Sequence, residues 1–174
     1  FKQISKYIME KENKEYELAD YIMVPTDFVK KTFIDKGFPK EKIIKNPYGV
    51  NLNQFKPNKT KEHFNKVFRI IYTGTVSVRK GILYLLETFE ELNIKNSELL
   101  IIGNTDKELN KKLKKYKNNE NIKFKNAIDQ SSLKDFYNIS DIFVTCSVEE
   151  GLSMVQLQAM SCGLPVVCTT HSGG

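Results

Sequence analysis

The chain has 174 residues, of which 40% are hydrophobic and 28% charged, and carries a formal net charge of +6. That length allows one domain with a sizeable core, and the composition suits a soluble globular protein. No apolar run approaches the roughly 20 residues that span a bilayer, no signal peptide is visible, and all but Arg69 and Arg79 of the 27 basic residues are Lys, which argues against nucleic-acid reading.

Residues 2–20 show helical spacing of Ile4, Tyr7, Ile8, Tyr16, Leu18 and Ala19 among many charges. Residues 21–24 read as a short strand closed by Pro25. Thr26 can cap a helix that runs to Gly37, with Phe28, Val29, Phe33 and Ile34 on one side. A turn-rich connection follows through Pro39 and Asn46-Pro47-Tyr48-Gly49. The polar stretch 51–60 contains Pro57, where a hinge or boundary is expected.

From Phe68 onward, strand and helix alternate. Residues 68–73 form a strand, 81–92 an amphipathic helix, 98–102 a buried strand ending at Gly103, and 106–117 a Lys-rich helix. Residues 122–126 make an alternating, edge-ward strand, 132–139 a helix, and 141–146 a β-branched strand of the kind covered on both faces. This alternation predicts an α/β, Rossmann-like parallel sheet flanked by helices, although the Gly-x-Gly-x-x-Gly fingerprint of dinucleotide folds is absent.

The stretch Ser147–Val167 organises the rest. Gly151 and Ser153 allow a sharp turn into a helix beginning at Ser153 or Met154. That helix stops at Gly163, with Pro165 two residues on. First-turn amides and the positive end of the helix dipole would converge where the strand ends, so an anion could sit there. Glu150 on the loop and Gln158 in the helix could both face a hydroxyl-bearing ligand; an ordinary solvated loop is the alternative. A second loop, residues 73–81, carries Arg79 and Lys80, a pair able to clamp a diphosphate.

Glu150, Gly151, Leu152 and Ser153, followed by Ala159, Met160, Gly163, Pro165 and Val166, resemble the signature of retaining, nucleotide-sugar-dependent glycosyltransferases of GT-B fold, the group 1 or family 4 class. Residues 17–57 resemble that family's passage from the amino-terminal domain to the interdomain crossover. The resemblance implies that residues 1–57 end an acceptor domain and that 58–174 form a donor-binding domain, one half of the two-domain fold. Both ends, Phe1 and Gly174, are expected to be cut points.

The implied reaction moves a sugar from a nucleoside diphosphate sugar to an acceptor hydroxyl with retention, in glycan, polysaccharide or glycolipid synthesis. No cofactor or metal is expected. By resemblance, Arg79 and Lys80 hold the diphosphate, helped by amides from Gly151 to Met154; Glu150 holds donor-sugar hydroxyls and Gln158 the ribose. Gly74 and Thr75 border the diphosphate, and Ala127 and Ile128 line the nucleobase wall. Two positions depart from the family: Thr75, where many relatives have Arg, and Gln158, where they have Glu. Two alternatives stay open: a GT-B sugar-nucleotide epimerase, which shares the fold but not the Glu150-to-Val166 pattern, and a non-catalytic nucleotide-binding module, which the two departures suggest.

The expected partners are a nucleotide-sugar donor and a carbohydrate or lipid-linked acceptor. The helix at 106–117 is read as covering the sheet through Leu109, Leu113 and Tyr116, with docking on an anionic membrane as the alternative. The expected location is cytoplasmic, with the inner face of the membrane as the variant that such docking would bring. Cys146, Cys162 and Cys168 lack metal-like spacing and are expected to be reduced, buried thiols. His63 and His171 are expected to be surface or loop residues.

Overall fold

The computed structural model describes residues 4–58 and 67–173, so the expectation for His63 lies outside the described residues. The chain divides into two compact units, 1–47 and 48–174.

The first unit contains α1 (Lys6–Leu18), β1 (Ile22–Val24), α2 (Asp27–Asp35) and β2 (Ile43–Lys45). Ser5 and Thr26 accept from the amides of Ile8 and Val29, satisfying first-turn donors of α1 and α2. β2 pairs in parallel with β1, where the sequence suggested only a connection. Ile22, Val24 and Ile43 are buried, and the rings of Tyr16, Phe33 and Phe38 meet edge to face beside them.

The second unit is a five-stranded, all-parallel sheet of β3 (Phe68–Thr73), β4 (Ser97–Ile102), β5 (Ile122–Lys125), β6 (Ile142–Thr145) and β7 (Val166–Cys168). Its strand order is β5-β4-β3-β6-β7. Helices α3 (Ile82–Leu92), α5 (Gln130–Asn138) and α6 (Met154–Ser161) connect the strands. The fold is the α/β, Rossmann-like sheet expected, and β5 and β7 are its edge strands. One core joins Ile70, Tyr72, Leu99 and Ile101 to α3. The other joins Ile71, Leu100, Ile102 and Phe143 to Tyr137, Ala159 and Leu164. Successive strand residues alternate between the two, the period-2 rule for a sheet covered on both faces.

Phe55 is 2% exposed and packs against Tyr137 in the second core. Asn138 also accepts from the Asn58 amide at 2.7 Å and donates to the Lys56 carbonyl at 3.1 Å. The segment from Tyr48 to Pro57 therefore belongs to the second compact unit, which begins earlier than the expected boundary at Pro57.

The single helix expected over 106–117 is instead three short pieces: a 3₁₀ turn at Lys107–Leu109, α4 (Asn110–Leu113) and a 3₁₀ turn at Tyr116–Asn118. Lys111 and Lys115, and Lys107 and Lys111, are like charges at i,i+4, which weakens a continuous helix. Leu109, Leu113 and Tyr116 are buried in the first core, so this segment has no apolar face left for a membrane. Cys162 is buried and Cys146 half-buried, but Cys168 is exposed on the last strand, against the expectation that all three are buried.

Candidate functional site

In the strand order, β3 is followed outward by β4 and β5, and the chain then returns to place β6 on β3's other side. The connections after β3 and β6 leave in opposite directions. The crevice between their carboxyl ends is the usual ligand position in such sheets. The two loops singled out by sequence, 73–81 and 146–153, are the ones that flank it.

Gly81 locks these loops together. Its φ is +65°, and a Cβ there would lie 1.8 Å from the Cys146 carbonyl oxygen. Only glycine fits both the left-handed backbone and the close approach. The Val148 amide then donates to the Arg79 carbonyl at 2.9 Å. Gly103 does similar work at the end of β4, where a Cβ would meet the Gly74 carbonyl oxygen at 1.9 Å. The 73–81 loop is further pinned by the Val76 amide donating to the Asn104 carbonyl and the Asp106 amide donating to Val76. Beneath it, the buried Tyr72 hydroxyl donates to the Thr75 carbonyl at 2.7 Å. Burial, and then the charge of Glu150, push that phenol above its ordinary pKa, so it stays a neutral donor.

Arg79, Lys80 and Glu150 converge. The Lys80 ammonium pairs with Glu150 Oε2, and both side chains are largely shielded from water. Arg79 Nη1 lies 3.7 Å from the same oxygen and donates to the Glu149 carbonyl at 3.1 Å, with half of its side chain exposed. Two cations share one carboxylate, leaving a local surplus of one positive charge.

The Glu150 amide donates to the His171 carbonyl at 2.8 Å, and a Cβ on Gly173 would meet the Gly151 carbonyl oxygen at 2.1 Å. His171 is exposed, as expected. Beyond Glu150 the chain passes Gly151 and Leu152, and Ser153 takes the position before α6 without a side-chain cap bond. Among the described residues, the amides of Leu152, Ser153 and Met154 find no acceptor. These first-turn donors, the helix dipole and the surplus cation form one anion-seeking concavity.

The helix ends at Gly163, whose φ is +82°, and the Leu164 amide donates back to the Ala159 carbonyl. Gln158, on α6, is 2% exposed, and its Oε1 has no hydrogen-bond partner. Gly74 and the exposed Thr75 sit at the end of β3. Ala127 and Ile128 follow β5; the Ala127 amide donates to Asn104 Oδ1 at 3.3 Å, and Ile128 packs on the second core. These two follow β5, two strands from β3, and are not among the groups that meet at Glu150.

Sequence reasoning gave no role to Tyr72, Gly81 or Gly103; the stretch from Thr169 to Gly174 was expected to border the crevice, and the Thr169 hydroxyl donates to the Ser147 carbonyl. A glycine directly before a helix was the only textual signal of the first close approach; the others depend on partners distant in sequence.

The fold and this loop pair define a Rossmann-like α/β domain with a cationic crevice where the strand order reverses. The family profile for glycosyl transferases group 1 matches residues 53–174, so the chain belongs to the group 1 glycosyltransferases. An uncharacterized glycosyltransferase of Methanocaldococcus jannaschii is 30% identical over 173 residues, covering 91% of this chain and 42% of that protein. Among solved structures, sucrose-phosphate synthase of Thermosynechococcus elongatus superposes with a TM-score of 0.83 at 23% identity, covering 98% of this chain and 46% of that one. Anabaena HepE in complex with UDP and glucose gives 0.81 at 18% identity, covering 98% and 50%. These structural likenesses show the GT-B fold. The chain spans half or less of the length of each of these relatives.

Proposed function

We propose that the protein to which this chain belongs transfers a sugar from a nucleoside diphosphate sugar to an acceptor hydroxyl with retention of configuration, in the synthesis of a glycan, polysaccharide or glycolipid. The observation that carries this reading is the meeting of Arg79, Lys80 and Glu150 at the β3/β6 switch point, beside the unaccepted amides of α6. The bond from the anomeric carbon to the diphosphate oxygen breaks while a bond to the acceptor oxygen forms on the same face, and the acceptor hydroxyl's proton passes to the departing diphosphate. Arg79, Lys80 and the amides neutralise the departing diphosphate as its charge grows, the stage at which fixed donors contribute most. Two side-chain cations in this position make the reaction independent of a divalent metal. Glu150, drawn off Lys80 when the diphosphate takes that ammonium, turns to the hydroxyls of the donor sugar. Gln158 meets the ribose. The HepE structure holds UDP and glucose, in keeping with this class of donor.

Calorimetry of the full chain with UDP, GDP and ADP tests the reading. One nucleotide is expected to bind, Arg79→Ala and Lys80→Ala each to weaken it about tenfold or more, and Glu150→Ala to leave the nucleotide bound but lose the gain from the sugar. Absence of binding by all three would end both the transferase and the epimerase readings. Turnover of a donor without an acceptor would favour the epimerase, and nucleotide binding without turnover the non-catalytic module.

Gln158→Glu carries a separate expectation. A carboxylate accepts hydrogen bonds roughly twice as strongly as an amide carbonyl, while its burial disfavours the charged form in the empty site. Nucleotide should bind about three- to tenfold more tightly, and the empty domain should melt at a lower temperature. Unchanged affinity would place Gln158 away from the ribose.

A further inference from the structure

The charge of this chain is not spread evenly. Residues 107–117 hold six lysines against Glu108, a net of +5 out of the chain's +6. The remainder sums to +1, so nearly all of the chain's excess positive charge sits in this segment. Lys107, Lys111, Lys112, Lys114, Lys115 and Lys117 are all exposed, and among the described residues none of them is in an ion pair. Outside the segment, Lys6, Lys11, Lys31, Lys45 and Lys80 each have a carboxylate partner. Lys115 lies over the Tyr116 ring; its contact with Tyr116 first, and then the charges of Glu90 and Glu87 on α3, raise its pKa.

The burial of Leu109, Leu113 and Tyr116 fixes which side of the segment faces out. It turns the lysines to water and holds them on a firm base. Beside it, Lys123 and Lys125 are exposed on the edge strand β5. The geometry points to a docking surface for an anionic phospholipid bilayer, bound by charge alone with no side chain inserted. Lysine is a compact charge that suits mobile phosphate headgroups. The segment lacks the arginine forks and exposed aromatic rings with which proteins read nucleic acid. Each lysine close to an anionic leaflet adds to the attraction. The segment begins directly after Asp106, whose amide bonds to Val76 of the donor loop, so docking would hold the candidate site close to the bilayer.

Sedimentation of the full chain with phosphatidylglycerol–phosphatidylcholine vesicles tests this without donor or turnover, so its outcome is separate from that of the transfer reading. The wild-type chain should bind these vesicles at low salt, release at high salt, and ignore pure phosphatidylcholine. Replacing Lys111, Lys112, Lys114 and Lys115 by Gln should weaken binding at least tenfold with an unchanged circular dichroism spectrum. Removing the same charge outside the segment, by Lys14→Gln, Lys36→Gln, Lys40→Gln and Lys95→Gln, should preserve most of it. No binding by the wild type, or equal losses in both variants, would overturn the proposal. So would a variant that keeps its vesicles but loses salt-dependent donor capture, since the lysines would then steer the donor.

Discussion

Lys80→Ala is expected to lower kcat/KM for the donor by about a hundredfold or more, most of it in kcat. The ammonium is held in a shielded position by Glu150, so it is already in place before the leaving group develops charge. Arg79 cannot substitute fully: half of its side chain is exposed and one of its donors is committed to the Glu149 carbonyl. The same change leaves Glu150 with only Arg79, 3.7 Å away, so the loop should also become less ordered in the empty protein. Lys80→Arg should restore binding better than turnover, because the longer planar fork cannot keep the pair with Glu150 in the same place. Single-turnover assays separate the two effects. A variant that turns over within a few-fold of wild type would remove Lys80 from the chemistry.

Gly81→Ala is expected to cost about 4 kcal/mol or more of stability, at the upper end for one substitution. Two penalties add: a left-handed backbone that disfavours any Cβ, and a Cβ placed 1.8 Å from a carbonyl oxygen. Relief would require β6 and α3 to move apart, and the interior of a domain resists that because it is close-packed. Gly49→Ala is the control, since nothing lies within 4 Å of a Cβ there and its φ is ordinary; it should unfold within about 1 kcal/mol of wild type. Urea melts of both variants measure the difference. Equal midpoints would mean that the two loops are not tied at Gly81.

Much of this architecture was legible in the amino-acid order. Phe68–Thr73 matched its expected limits because it contains Ile70, Ile71, Tyr72 and Thr73, an unbroken buried run of β-branched and aromatic residues. The end of α6 was legible because Gly163 and Pro165 punctuate it. β2 was not, since a three-residue strand such as Ile43–Lys45 exists through pairing with Ile22–Val24, a partner far along the chain. The Lys107–Asn118 segment misled because its apolar spacing is helical while its like charges oppose a continuous helix. At the candidate site, resemblance pointed to Arg79, Lys80 and Glu150, and their convergence followed from strand order. Tyr72 and Gly103 were invisible because their importance lies in what they touch, the Thr75 carbonyl and the Gly74 carbonyl.

The glycine contacts at 81, 103 and 173 have a consequence for how such a protein can change over time. All three press main chain against main chain: Gly81 on Cys146, Gly103 on Gly74, Gly173 on Gly151. The outline of the crevice is thus written in backbone, and side chains are hung on it afterwards. A lineage can therefore exchange a side chain such as the exposed Thr75 without re-engineering the frame. Innovation is cheap at the rim and nearly forbidden at three hydrogen atoms, the ones that stand where a Cβ would be.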